Sequence, residues 1–192
     1  GYTQTTRYTY LLHTIHDTHA LRERMSQNIR RNLVKARDRH GITVRVGLST
    51  DALLTMQEQT FERQGVANKQ DPRALRRLVE AARSRGQGEI FGGYDAEGQL
   101  HAAVFVVWQP SGASYIAGGS DPALRASGAH ALTLWEAVCH TAQYTDIFDL
   151  EGSMLRGVER FFREFGGVQT PYFCIRRGRL SLWDRARMKW RG

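Results

Sequence analysis

The chain has 192 residues, 41% of them hydrophobic, and a formal net charge of +8. That length holds one domain with a substantial core or two small ones, and the basic surface attracts phosphates on coenzymes, nucleic acid or lipid headgroups without choosing among them. Its two cysteines, Cys139 and Cys174, lie in apolar segments and exclude a disulfide scaffold or a metal knuckle, while no apolar run approaches the roughly 20 residues of a membrane-spanning helix.

Residues 8–12 read as an opening strand. Asp17 or Thr18 caps a helix expected to run to about residue 39, with Leu21, Met25, Ile29, Leu33 and Ala36 near one face; Gly41 stops it. Residues 42–46 alternate like a strand. Ser49 or Thr50 starts a second helix through Leu53, Met56 and Phe61, and Gly65 ends it. Asp71 and Pro72 supply a cap and a proline at the first helical position, predicting a helix to about residue 85. Strands follow at 89–94, 100–109 and 114–118. The turn signals between them, at 95–98 and 110–112, favour an antiparallel meander.

Residues 129–144 then read as a helix and 145–150 as a short strand. Gly152 punctuates that strand. Ser153 caps a further helix carrying Leu155, Val158, Phe161 or Phe162, and Phe165, and Gly166 closes it. A last strand covers 169–176. This order predicts an α/β (α+β) fold, a mixed and mostly antiparallel central sheet flanked by helices. Residues 1–178 form one domain in this reading, and 179–192 a basic tail mixing tryptophan with cations, which docks on the body or meets an anionic partner.

Two groups of residues stand out by spacing. Asp149 and Glu151 are two apart and face the same way if the strand continues. One carboxylate there accepts a proton from an attacking amine, or both simply favour a helix N-terminus. Arg30, Arg31 and Lys35 make a basic cluster, with Arg31 and Lys35 on one helix face. They hold a diphosphate, a carboxylate or tRNA, or form a solvated face. His13, His16 and His19 lie three apart, but a helix start falls inside the series, and no metal site is expected.

The element order resembles the GNAT acyltransferase fold. The segment from Arg30 to Ala36 followed by Gly41-Ile42, and the stretch from Asp149 to Tyr172 with its Glu-Gly-Ser turn, double phenylalanine, Phe-Gly-Gly and Pro-Tyr, resemble the Fem-like subgroup of that superfamily. The resemblance implies an N-acyltransferase acting on a small-molecule or peptide primary amine, with acyl-coenzyme A or aminoacyl-tRNA as donor and no metal. It implies a cytoplasmic location. Full Fem-like proteins usually carry two related domains in tandem, so the resemblance implies either a fragment of a longer protein with a tandem N-terminal domain or a minimal single-domain relative. An aminoacyl-tRNA-dependent peptidyltransferase is the narrower form of this reading. A non-catalytic nucleic-acid or polyanion-binding domain is the alternative from another class.

The resemblance also distributes roles. Arg125, Ser127, Gly128 and His130 fall where the GNAT diphosphate loop, Gln/Arg-x-x-Gly-x-Gly/Ala, is expected, and His130 departs from the small residue at its last place. Tyr115, Gly118 and Gly119 mark the strand beside the donor, where backbone N–H groups receive the acyl oxygen. The basic cluster falls on the acceptor or tRNA side. Tyr172 is a candidate proton donor to the leaving group, or a tyrosine at the core rim.

Overall fold

The structure is a computed structural model and describes residues 2–68, 70–152 and 156–177. Among these residues, seven strands form one sheet in the order β2-β3-β4-β5-β6-β1-β7. Their ranges are β1 (Tyr2–His13), β2 (Thr43–Val46), β3 (Gly88–Tyr94), β4 (Leu100–Gln109), β5 (Gly112–Ser120), β6 (Ile147–Asp149) and β7 (Val168–Arg177). Every neighbouring pair is antiparallel except β5 and β6, which run parallel. The expected mixed, mostly antiparallel sheet is therefore the observed one.

Among the described residues, six α-helices flank it: α1 (Thr18–Arg24), α2 (Gln27–Val34), α3 (Thr50–Gln64), α4 (Pro72–Ser84), α5 (Ala129–Thr141) and α6 (Arg156–Glu164). One face of the sheet buries Tyr10, Leu12, Val104 and Phe148 against Leu21 of α1, Ile29 of α2, Leu132 of α5 and Phe162 of α6. The other buries Ile90, Phe105 and Ala117 against Leu53 of α3 and Leu75 and Val79 of α4. The cap signals hold where they were strongest. The Ser49 hydroxyl accepts from Ala52 N–H, the Asp71 carboxylate from Arg73 N–H, and Gly65 turns left-handed at φ 62°.

Two expectations need correction. The opening strand is longer than residues 8–12: it starts at Tyr2 and pairs with β7 from Tyr2↔Arg177 to Leu11↔Val168. Its threonines and tyrosines suit a pleated surface even without strict alternation. The single helix expected over 17–39 is three pieces. Met25 is extended (ψ 146°), and the Ser26 hydroxyl caps α2 by accepting from Ile29 N–H at 3.2 Å. A serine inside a helical pattern competes for the backbone in this way. Lys35–Arg39 then forms a π-helical turn, a form found mostly as single turns and often near functional sites.

α6 is fastened over β1. Its Phe162 and the following Phe165 are buried, each contributing about 1.5–3 kcal/mol. The Tyr10 hydroxyl donates to Glu159 Oε1 at 2.5 Å, and Gly166 closes the helix at φ 93°. Ser153, Leu155 and the tail 179–192 lie outside the described residues. Among the described residues, no helix is long and apolar enough to cross a membrane.

Candidate functional site

The site opens where the two parallel strands diverge. β5 and β6 pair only at Ala113↔Phe148 and Ser114↔Asp149. β6 then ends, while β5 continues to Ser120. The cause sits on the other side of β5. Val106 pairs with Tyr115 and Phe105 with Ala117, so Ile116 has no opposite number. Such a bulge bends and twists its strand. The gap is a cavity of about 340 Å³ lined by Tyr115, Ile116, Glu151, Gly152, Val158 and Phe162. It lies at the carboxyl end of the parallel pair, where open α/β sheets bind ligands.

The turn after β6 is clamped to β1. Leu150 N–H donates to the Tyr10 carbonyl at 2.9 Å. Asp149 Oδ1 accepts the Thr9 hydroxyl and, at 2.7 Å, Glu151 N–H. Gly152 lies so close to the Tyr8 carbonyl oxygen that a Cβ would overlap it. Glu151 itself has φ 65°, the left-handed region that a non-glycine residue enters at a cost. The expected shared strand face for Asp149 and Glu151 is thus corrected: the strand ends at Asp149, which braces the turn, and the turn presents Glu151 to the cavity. Loss of hydration at the cavity wall, then the neighbouring Asp149 charge, pushes the Glu151 carboxyl above its ordinary value.

The loop before α5 is held by side chains that sequence spacing did not connect. His101 Nδ1 lies 3.0 Å from Ser127 Oγ, and its Nε2 lies 2.9 Å from Asp95 Oδ2. His101 and Ser127 are buried. Ser127 Oγ accepts Ala129 N–H at 3.2 Å, Ser127 N–H donates to the Leu124 carbonyl, and Gly128 N–H to that of Arg125. Three N–H groups of the expected diphosphate loop are therefore already engaged within the chain. Gly128, at φ 81°, packs against the Asn32 carbonyl of α2. That contact brings α2, and the flank carrying Arg31 and Lys35, beside the loop. Arg30 and Arg31 are exposed and Lys35 half-buried.

Gly119 belongs to a different close approach. A Cβ there would overlap the Met56 carbonyl, so the residue admits α3 to the back of β5. Gly118 leaves room for the Tyr115 hydroxyl. His130 meets Tyr115 edge-on at 6.4 Å and Phe161 at 5.6 Å, and its buried Nδ1 has no hydrogen-bond partner among the described residues. Tyr172 is not brought to this group. It is exposed on the edge strand β7, opposite Arg7, with β1 and β6 between it and β5. Burial, with Glu136 adding to it, pushes the Cys139 thiol up to about 12, so it offers no thiolate nucleophile near neutrality. Among the described residues, no three His, Cys, Asp or Glu side chains gather as a metal site would require.

Burial also holds the His130 imidazole below its ordinary pKa, against a hydrogen bond with the Gly119 backbone. The folded chain therefore refuses a proton that the unfolded chain accepts from about pH 6.5 downward. This contribution to stability is complete above that pH and is lost as the pH falls. Thermal melting at pH 7.5 and 5.5 is expected to show a smaller acid-induced drop in His130→Gln than in the parent. An unchanged drop would remove His130 as a source of acid sensitivity.

Residues 23–163 match the family model "Acetyltransferase (GNAT) domain". No curated protein sequence matches the chain. Among solved structures, FemX is similar over 96% of this chain and 63% of its own, with a TM-score of 0.75 and 12% identity. The L-PGS structure from Bacillus licheniformis is similar over 100% and 66%, with a TM-score of 0.60 and 12% identity. A GCN5-related N-acetyltransferase from Kribbella flavida is similar over 91% and 59%, with a TM-score of 0.52 and 14% identity. At these identities the likeness is one of fold. The chain spans about 63% of the length of the FemX chain.

Proposed function

Because the chain belongs to the acetyltransferase (GNAT) domain family, we propose that it transfers an acyl or aminoacyl group from an activated donor to a primary amine. The observation that carries this reading is the cavity opened by the β5 bulge, with Glu151 on its wall. The donor's acyl group enters alongside β5, whose backbone beyond Ser114 has, among the described residues, no strand partner on the β6 side. N–H groups there receive the oxygen that becomes negative in the tetrahedral intermediate. The amine nitrogen bonds to the carbonyl carbon, and Glu151 takes the proton it sheds. The bond from carbon to sulfur or oxygen then breaks, and Glu151 returns the proton to the leaving group. A carboxyl raised toward neutrality is a better proton acceptor. The reading assigns Tyr172 no step.

Of the two donors, aminoacyl-tRNA is favoured by the engaged N–H groups of Ser127, Gly128 and Ala129, which a coenzyme diphosphate would need free. A Fem-like aminoacyltransferase is the form of the family this fits, acting in the cytoplasm where charged tRNA is made. The share of FemX that the chain spans supports a companion domain in a longer protein.

Titration of coenzyme A and of uncharged tRNA at several salt concentrations tests the donor. Saturable tRNA binding is expected. Replacing Arg31 and Lys35 together by glutamine is expected to weaken tRNA, lowering the slope of log affinity against log salt by up to about 1.8. Tight coenzyme A binding instead would move the donor to a thioester. Equal, steeply salt-dependent binding of tRNA and mixed-sequence DNA would favour a non-catalytic polyanion module.

A further inference from the structure

β1 and β7 extend beyond the helices as a two-stranded ribbon. Opposed residues of an antiparallel pair share a face, so Tyr2, Thr6 and Tyr8 of β1 lie on one face with Phe173, Ile175 and Arg177 of β7. Tyr10, further along that face, is buried beneath α6 through its bond to Glu159. From Tyr8 outward the face is open: Tyr8 is 44% exposed, Tyr2 72%, Phe173 65% and Ile175 62%. The inner end of this track reaches the cavity, because the Tyr8 carbonyl abuts Gly152, which lines it.

Its chemistry is one-sided. Neither strand contains an acid; of their three arginines, Arg177 lies on this face, while Arg7 and Arg176 lie on the other. The Arg177 guanidinium sits over the Tyr2 ring at 5.9 Å. Exposed aromatic rings with an arginine at their outer end, and no carboxylate from either strand among them, suit unpaired bases and a phosphate. An anionic bilayer would also meet the charge. A flat bilayer, however, gives no account of why the track runs along one face of a narrow ribbon and ends at the cavity. A second copy laid on this face would bring two Arg177 side chains together with no acid from either strand to offset them.

We propose that this face of the β1–β7 ribbon binds a short single-stranded RNA end and leads it to the cavity. This rests on the aminoacyl-tRNA reading above and adds to it the surface that receives the acceptor terminus. From Tyr2 to Tyr8 the strand extends roughly 20 Å, room for on the order of four nucleotides, the small end of single-strand sites. Bases stack on Tyr8, Phe173 and Tyr2, Arg177 pairs with phosphate, and the 3′ end lies toward Glu151.

The test is fluorescence anisotropy with a 5′-fluorescein RNA hexamer ending in CCA. The intact protein is expected to bind it. Phe173→Ser and Tyr8→Ser are each expected to weaken it by about tenfold, with unchanged melting temperature for Phe173→Ser, whose ring is mostly solvent-exposed. Arg177→Gln is expected to lower the salt slope by about 0.7. Equal RNA affinity in the parent and all three variants overturns the proposal. So does sedimentation showing a dimer that Phe173→Ser dissolves, which would give the face to a second copy. Binding to phosphatidylglycerol vesicles that Phe173→Ser abolishes, with RNA binding intact, would give it to lipid. Aminoacyl transfer is assayed separately. Ribbon-dependent RNA binding without transfer would sink the functional reading and leave this surface; transfer that survives all three substitutions unchanged would do the reverse.

Discussion

Glu151→Gln is expected to slow transfer to a primary amine by about 10²–10⁴-fold at neutral pH, and to slow it less as the pH rises. The amide keeps the size of the side chain and cannot accept the proton. At high pH more of the amine is already free and depends less on a base. In the parent, the rate falls on the acid side as Glu151 takes up its proton. Because loss of hydration and the Asp149 charge hold that carboxyl above its ordinary value, this limb should lie at higher pH than a free glutamate would give. Asp149→Asn separates the two acids. Asparagine retains a carbonyl oxygen for the Thr9 hydroxyl and Glu151 N–H that Asp149 Oδ1 now accepts. It removes the charge, so the acid limb should move to lower pH, and melting should show some loss from the weakened clamp. The deciding measurement is the pH profile of the rate with a defined amine in each folded variant. If Glu151→Gln and Asp149→Asn both run parallel to the parent with less than about a threefold drop, neither carboxylate takes part in proton transfer, and the turn only delivers α6.

How much of this was legible in the sequence depended on whether the signal was local. Asp71-Pro72, Ser49 and Gly65 act within a few residues, and each marks the helix end it predicted. The meander was readable because its two turns carry glycine and proline between apolar runs. The break at Met25 was missed because the apolar spacing of Leu21, Met25 and Ile29 passes through it unchanged, and only Ser26 marked the restart. At the site, Glu151 could be singled out by its neighbours in the chain. Its separation from Asp149 could not, since the turn is set by Thr9, Tyr10 and Tyr8, some 140 residues earlier. The β5 bulge is invisible for the same reason: Ile116 is an ordinary strand residue, and its lack of an opposite number is a property of the pairing. Likewise Asp95, His101 and Ser127 are joined only once three elements pack together. His101 inside an apolar strand was the one hint, a polar residue where burial demands partners.

Gly152→Ala is expected to be among the most damaging small changes in the chain. A Cβ at Gly152 meets the Tyr8 carbonyl oxygen and the backbone behind it, not the end of a flexible side chain. No rotamer change relieves that overlap; the turn must move away from β1. Moving it strains the Leu150–Tyr10 and Asp149–Thr9 hydrogen bonds and carries Glu151 off the cavity wall. Overpacking of this kind costs typically 1–3 kcal/mol and occasionally more. With every relaxation route running through backbone, about 3 kcal/mol is the expected loss, which lowers the melting temperature by roughly 6–12 °C for a domain of this size. Gly157→Ala, five residues on, provides the contrast. Gly157 lies within α6, and nothing among the described residues stands within 4 Å of the Cβ it would gain. There alanine is expected to stabilise by about 0.5–1 kcal/mol through the lower entropy of its unfolded chain and its better helical preference, raising the melting temperature by roughly 1–4 °C. Thermal unfolding of the two single variants beside the parent decides the matter. Opposite shifts place the turn hard against β1. A Gly152→Ala protein that melts with the parent would mean that the turn sits farther from Tyr8, and the clamp that fixes Glu151 would have to be sought elsewhere.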